Sequence, residues 1–121
     1  MRCALARRLK SFAYAGQGLA HLVRTQPNAR WHLLATLLVC AAGVYVGLKR
    51  AEWLWVVLAL VLVWAAEAFN TALEQLADAL HPARHPGIGR AKDVAAAAVL
   101  IAALGAALIG AMVFWPYVAG P

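Results

Sequence analysis

Long apolar segments constrain this chain more than any other feature of its sequence. The segments 31–48 and 94–117 carry no charged residue, and a third apolar segment, 53–66, runs directly into a polar region. A helix needs about 20 apolar residues to cross bilayer hydrocarbon that is about 30 Å thick. Because 64% of the 121 residues are hydrophobic and only 13% are charged, an ordinary soluble domain is excluded. The sequence therefore predicts an integral membrane protein with three transmembrane helices.

The predicted fold is a single all-α membrane domain, residues 1–121, in which a surface helix precedes the three transmembrane helices. The N-terminal region is too basic to span a bilayer, but an apolar residue recurs every three or four positions, which is typical of an amphipathic surface helix. The predicted boundaries are about 4–25 for the surface helix, 30–48, 52–80 and 90–117 for the transmembrane helices, and 81–89 for a cytoplasmic loop. At about 43 Å, the second transmembrane helix exceeds the bilayer and should extend into the cytoplasm.

Basic residues are distributed unevenly along the chain. Six of the eleven Lys and Arg residues precede the first apolar segment, two lie in the turn after it, and three follow the second transmembrane helix. The positive-inside rule then predicts a cytoplasmic N-terminus and 81–89 loop, with the C-terminus outside. The formal net charge of +6 suits anionic lipid headgroups or a polyanionic soluble substrate, and with this hydrophobicity we expect no nucleic-acid partner.

Small residues recur at regular spacing in the third transmembrane helix. Ala98, Ala102, Ala106 and Gly110 are four residues apart, so they form a strip on one helix face. Strips of small residues let membrane helices approach each other closely. For so small a chain, this pattern predicts an oligomeric bundle.

Four of the five acidic residues lie between positions 67 and 93. Three of them share one helix face with an asparagine, at i, i+3, i+7 and i+11: Glu67, Asn70, Glu74 and Asp78. After a loop rich in Pro and Gly, Lys92 and Asp93 open the next helix at the same end of the molecule. Glu67 lies about 21 Å into its helix, where a carboxylate in lipid costs at least about 2–3 kcal/mol. We therefore expect it to face other helices.

These residue types together suit phosphoryl transfer. Carboxylate and asparagine oxygens are ligands for Mg²⁺, which usually also binds substrate phosphates. A lysine offsets charge on phosphate oxygens, and a further carboxylate can accept the proton of a hydroxyl. The four histidines give a weaker signal. Pro82 disfavours a metal pair of His81 and His85, while His21 and His32 are interpreted as structural residues at the membrane interface.

The segment EAFNTALEQLAD (67–78), the following loop and AKDVAAAAV (91–99) resemble the signature of the small prokaryotic membrane kinases, the diacylglycerol kinase and undecaprenol kinase family. Upstream, KSFAYAGQGLAHLVRTQPNARWHLLA (10–35) resembles the surface helix and the start of the first transmembrane helix of that family. The forms QPNARWH and FNTALE look closer to the undecaprenol kinase branch than to the diacylglycerol kinase of Gram-negative bacteria. The acceptor lipid stays open between these two.

The resemblance implies a homotrimer in the bacterial cytoplasmic (inner) membrane, with active sites shared between subunits that transfer phosphate from MgATP to a lipid hydroxyl. It implies that Glu67 is the general base, that Asn70 supports the acceptor and phosphate geometry, and that Glu74 binds Mg²⁺. The residues that would hold nucleotide and phosphates are Asp78, Lys92 and Asp93, with Arg7 and Tyr14 from the surface helix. Gln26 stands where several members have a metal-binding glutamate, so it offers an oxygen ligand without the negative charge.

Two other functions are also compatible with parts of the sequence. A small oligomeric proton-coupled transporter could use Glu67 as an intramembrane proton site. A non-catalytic membrane scaffold would explain the strip of small residues and the basic surface helix, but it leaves the acidic row unexplained.

Overall fold

A computed structural model describes the backbone of residues 2–120 and the side chains of residues 8–120. Four helices follow one another in this part of the chain: α1 (Arg2–Thr25), α2 (Pro27–Val46), α3 (Arg50–Leu80) and α4 (Pro86–Ala119). The last three are each long and apolar enough to cross a membrane. The predicted all-α class with three candidate membrane-spanning helices is confirmed.

Two prolines set the starts of α2 and α4. Pro27 and Pro86 are the first residues of these helices, a position where the missing N–H costs nothing. Gln26 and His85, the residues before them, are extended, with φ of −101° and −133°. The His85 ring also accepts a hydrogen bond from the Gly87 N–H at 3.1 Å. The structure thus starts α4 at Pro86, whereas the sequence interpretation extended the loop to residue 89.

A tight turn joins α2 to α3. Gly47 ends α2 with φ of +72°, a left-handed conformation that glycine adopts without strain, and the Leu48 N–H donates to the Gly43 carbonyl at 3.0 Å. The short connection makes α2 and α3 antiparallel neighbours. Gly43 lies so close to α3 that an added Cβ would come within 2.8 Å of the Trp53 ring.

Helices α3 and α4 form the most extensive helix–helix contact. An apolar cluster and a hydrogen bond stabilise this contact near the turn between α2 and α3. Leu48, Val56 and Val113 form a buried apolar cluster there. Beside it, the Tyr117 hydroxyl donates to Glu52 Oε2 at 2.6 Å. Most other large apolar side chains of the three long helices are exposed on the single chain. These surfaces suit contact with lipid or with further copies of the chain.

Helix α1 is attached to the rest of the chain near its C-terminal end. Leu22 is buried, Gln75 Nε2 of α3 lies 2.9 Å from His21 Nε2, and Arg30 Nε of α2 donates to the Val23 carbonyl at 3.1 Å. The described side chains that precede His21 are exposed. These contacts place the end of α1 beside the polar part of α3.

Candidate active site

One face of α3 is buried between Val56 and Thr71, and the buried side chains change from apolar to polar along this stretch. Val56, Ala59 and Val63 continue at helical spacing into Glu67 and Asn70. Glu67 is 1% exposed and Asn70 is 8% exposed, and with Thr71 they are the buried polar residues of the part of the chain that the structure describes. The predicted polar row therefore begins inside the packed region, where it extends an apolar seam.

The middle of the row contains oxygen atoms that are available to a ligand. Asn70 Nδ2 donates to Glu74 Oε1 at 3.4 Å, a long hydrogen bond that turns the amide oxygen away from Glu74. That oxygen, Asn70 Oδ1, is buried and has no hydrogen-bond partner among the described residues. Buried polar atoms are nearly always paired in folded proteins, so an unpaired one needs an explanation. An oxygen-liganded cation or a substrate group would satisfy it.

A cavity of about 320 Å³ opens beside these two side chains, between α2, α3 and α4. Asn70 and Glu74 line it from α3, and Asn28, Trp31 and His32 line it from α2. Across the described residues, no three His, Cys, Asp or Glu side chains are grouped as a metal site would need. Mg²⁺ does not require such a group, because phosphate oxygens and water normally complete its coordination.

The outer end of the row carries a cation. Lys92 Nζ of α4 lies 2.8 Å from Asp78 Oδ1 of α3, which brings the two predicted residues together at one level. Asp78 is largely exposed, so this ion pair contributes little to stability. Both residues line a second cavity of about 550 Å³, together with the loop residues 81–85 and the first turn of α4. The ammonium group thus lies beside an open, solvent-accessible space.

Several residues singled out from the sequence lie away from these cavities in a single chain. Asp93 is exposed, because it is turned about 100° around α4 from Lys92. Tyr14 is 66% exposed on α1. Gln26 precedes α2, and its Nε2 donates to Thr25 Oγ1 at 3.5 Å. The side chain of Arg7 lies outside the described residues. One chain therefore brings together Glu67, Asn70 and Glu74, and brings Asp78 to Lys92 at the outer end of the row.

The sequence interpretation missed His32 as a neighbour of Glu67. Its Nε2 lies 3.8 Å from Glu67 Oε2, and the two side chains are 19% and 2% exposed. Both residues lie at similar sequence distances from the 47–49 turn, so an antiparallel hairpin places them at similar depth. That symmetry was the available signal, but it requires the turn and the facing helix sides to be known.

Helices long and apolar enough to span a membrane, with a row of carboxylates that starts at a buried glutamate and ends beside a lysine, define a membrane protein with a polar site between its helices. Comparison with protein families gives a match to prokaryotic diacylglycerol kinase over residues 13–114. Because this match covers most of the chain, the protein belongs to the prokaryotic diacylglycerol kinase family.

Curated relatives of this chain have two names. Undecaprenol kinase of Bacillus subtilis is 36% identical over 112 residues, 93% of this chain and 91% of the relative. A diacylglycerol kinase of Synechocystis sp. is 35% identical over 109 residues, 89% of this chain and 62% of that protein. The diacylglycerol kinase of Escherichia coli is 27% identical over 109 residues, 90% of this chain and 89% of the relative. The first two values are too close to distinguish the acceptor lipids.

The predicted family and reaction class are confirmed by these matches. The chain is a membrane lipid kinase of the diacylglycerol or undecaprenol type, and as a kinase of this family it takes its phosphoryl group from ATP. The comparisons give no support to the transporter hypothesis.

Proposed function

We propose that the polar row of α3 is the active site, which transfers the γ-phosphoryl group of MgATP to the hydroxyl of diacylglycerol or undecaprenol at the cytoplasmic interface. The observation that carries this proposal is the buried Glu67 carboxylate at the apolar end of a row whose other end bears Lys92. A lipid hydroxyl would approach from the apolar end, and the phosphates of ATP would approach from the lysine end.

Glu67 is the general base in this proposal. Its carboxylate accepts the proton as the lipid O–H bond breaks and the lipid oxygen bonds to the γ-phosphorus. The bond between the γ-phosphorus and the bridging oxygen breaks, and its electron pair leaves with ADP. Low exposure favours the task, because a carboxylate shielded from water retains its hydrogen-bonding capacity for the substrate. Asn70, one turn further along, supports the acceptor and the transferred phosphoryl group.

Glu74 is the proposed Mg²⁺ ligand. One of its oxygens accepts from the Asn70 amide, and Glu74 and Asn70 both line the 320 Å³ cavity. Asn70 Oδ1 is buried without a partner among the described residues, so the oxygen types at this site fit a hard cation. Bound Mg²⁺ would offset negative charge on the transferring phosphoryl group. Gln26 is proposed as a second Mg²⁺ ligand because of the family resemblance. Its amide nitrogen donates to Thr25 Oγ1, which leaves the amide oxygen available to a metal ion.

Nucleotide binding is assigned to the outer end of the row. Lys92 would bind phosphate oxygens, with Asp78 orienting its ammonium group, and the adjacent cavity leaves room for the nucleotide. Asp93, Tyr14 and Arg7 complete the set by resemblance. Tyr14 and Asp93 are exposed and lie away from the cavities of their own chain. That placement supports active sites that use residues from two copies, and the homotrimer is proposed from the resemblance.

The proposed setting is the bacterial cytoplasmic membrane, with α1 lying on the cytoplasmic surface and the C-terminus outside. The uneven distribution of Lys and Arg supports this orientation. The exposed apolar residues of α1, among them Leu9, Phe12 and Leu19, support contact with acyl chains. This orientation places Lys92 on the side of the membrane where ATP is found.

The proposal is tested by offering diacylglycerol and undecaprenol separately in mixed micelles and measuring transfer of labelled γ-phosphate from MgATP. Wild-type protein should phosphorylate at least one lipid, and Glu67→Gln should lower kcat by about 10²–10⁴-fold with little change in the KM for ATP. Glu52→Gln makes the same substitution at the far end of α3, and we expect it to leave kcat unchanged. Wild-type turnover in Glu67→Gln would contradict the assigned role of Glu67.

A further inference from the structure

We propose that His32 is a positioning residue for Glu67: its Nε2–H binds one carboxylate oxygen of Glu67, so that the other oxygen faces the lipid hydroxyl. The inference rests on the proposed role of Glu67 as the general base. His32 retains its own protons in this scheme, and the proton of the acceptor passes to Glu67. The residue therefore acts through the carboxylate and does not itself touch the reacting atoms.

The first observation is a pair of unsatisfied polar atoms that face each other. His32 Nε2 and Glu67 Oε2 are 3.8 Å apart, and neither has a hydrogen-bond partner in the part of the chain that the structure describes. A buried nitrogen and a buried carboxylate oxygen that are left without hydrogen bonds lower the stability of the fold. Such a pair is therefore expected to form a hydrogen bond at some stage of the reaction. A shift of about 0.9 Å would form an ordinary N–H···O bond. Such bonds at active sites are often long before substrate binds and shorten in the complex.

The second observation is that the neighbouring layer of the helix pair holds His32 in place. Trp64 Nε1 of α3 donates to Thr36 Oγ1 of α2 at 3.0 Å, and Thr36 Oγ1 donates to the His32 carbonyl at 2.7 Å. This chain of bonds fixes the register of α2 against α3 one turn away from the His32 and Glu67 pair. The imidazole is thus presented to the carboxylate by a fixed backbone.

The third observation is the place of His32 between two cavities. It lines the polar cavity of Asn70 and Glu74, and it also lines an apolar cavity of about 500 Å³ that runs between α2, α3 and α4 past Val56 and Val63. A lipid with its tail in the apolar cavity would present its hydroxyl where the two spaces meet. His32 and Ala103 line both cavities, and of the two only His32 has a polar side chain. Glu67 Oε2 lies 3.8 Å from the His32 ring, beside that junction.

The test is a double-mutant cycle with His32→Leu and Glu67→Gln, measured as kcat and as the KM for MgATP. We expect His32→Leu to lower kcat about tenfold to a hundredfold with the KM for MgATP unchanged. In the Glu67→Gln background, His32→Leu should cause no further loss, because it acts through the missing carboxylate. His32→Gln, whose amide can donate from a similar position, should keep most of the wild-type kcat.

Thr36→Val is the matched structural control, since it removes an interhelical hydrogen bond one turn away without touching Glu67. It should lower the unfolding temperature and keep a kcat well above that of His32→Leu, because the imidazole that binds Glu67 is still present. If His32→Leu does not fold, His32→Gln and His32→Asn form the comparison, because the shorter asparagine does not reach the carboxylate and should be the slower variant.

The proposal is overturned if folded His32→Leu has wild-type kcat. It is also overturned if the decrease in kcat of the double variant is the product of the decreases of His32→Leu and Glu67→Gln. A third contradicting result would be a His32→Gln variant that is no faster than His32→Leu or His32→Asn. These failures leave Glu67 as the general base. Wild-type kcat in Glu67→Gln alone would instead remove the base, and the positioning role of His32 with it.

Discussion

Two glutamates on α3 differ in how their carboxylates are hydrogen-bonded. Glu52 Oε2 accepts hydrogen bonds from the Tyr117 hydroxyl and the Lys49 N–H, at 2.6 and 2.7 Å. Glu67 is more deeply buried, yet its Oε2 has no hydrogen-bond partner among the described residues. A carboxylate within a bilayer costs at least about 2–3 kcal/mol, and Glu52 recovers part of such a cost through its partners. No such partner is present for Glu67 in the part of the chain that the structure describes, and the proposed role as general base would account for a buried carboxylate that is left free to bind substrate.

Replacing Glu74 with glutamine should remove a Mg²⁺ ligand while preserving the local fold, because a glutamine oxygen can still accept from the Asn70 amide. We expect kcat at ordinary Mg²⁺ concentration to fall by about 100-fold or more, and the Mg²⁺ concentration for half-maximal rate to rise. Titration of the initial rate with Mg²⁺ measures both effects, and thermal unfolding checks the fold. An unchanged Mg²⁺ dependence in Glu74→Gln would remove Glu74 from the metal site.

Spacing along one helix was sufficient to predict the shared face of Glu67, Asn70 and Glu74, because the helical period fixes that relation locally. The contact between His32 and Glu67 was not predictable in this way. It depends on the turn at Gly47 and on which sides of α2 and α3 face each other, and neither is encoded in the spacing of polar residues.

At the scale of the helices, the ends were harder to predict than the helices themselves. The predicted start of the last helix is residue 90, just before the apolar segment 94–117, whereas α4 starts at Pro86. Proline at a first helical position is a recognised signal, but His85 is not among the preferred N-cap residues. Its ring nitrogen nevertheless accepts the Gly87 N–H, and that bond fixes the start of α4.

The close contact of α2 with α3 gives a prediction about stability. Gly43→Ala places a methyl group within 2.8 Å of the Trp53 ring and 2.9 Å of Leu48 Cδ1, so the side chains must move. We expect a loss of about 1–3 kcal/mol in the free energy of unfolding, measured by denaturation in detergent micelles. Gly105→Ala is the control, since an added Cβ there meets no atom within 4 Å. Equal stability of the two variants would mean that α2 does not pack against Trp53.

At the scale of the whole molecule, one chain provides an incomplete set of the proposed site residues. Asp93 and Tyr14 are exposed, while Glu74 lines a cavity between α2, α3 and α4. A sequence cannot state whether residues on one chain serve the same site or a neighbour's. Surface position on the single chain favours a shared site, and this hypothesis can be tested by mixing variants.

Glu74→Gln and Asp93→Asn should each have only a small fraction of the wild-type rate when prepared alone. If Glu74 and Asp93 serve a site from different copies, random reassembly of equal amounts should restore about a quarter of the wild-type rate, because each site then has a one-half chance of receiving each intact residue. The lipid phosphorylation rate after unfolding and joint refolding measures this recovery. No recovery, with mixed oligomers demonstrated by differently tagged chains, would show that both residues belong to one chain's site.

The bonds between α3 and α4 also bear on how a lipid reaches Glu67. Tyr117 and Glu52 join the two helices near one end, and Lys92 and Asp78 join them near the other. Sliding one helix past the other by a full turn, about 5.4 Å, would separate both pairs. Helix α2 has fewer contacts with this pair, but the Trp64–Thr36 hydrogen bond and the packing of Gly43 on Trp53 hold it beside α3. We therefore expect α3 and α4 to move as one unit when a lipid enters, and any separation of α2 from them to require that the Trp64–Thr36 hydrogen bond breaks.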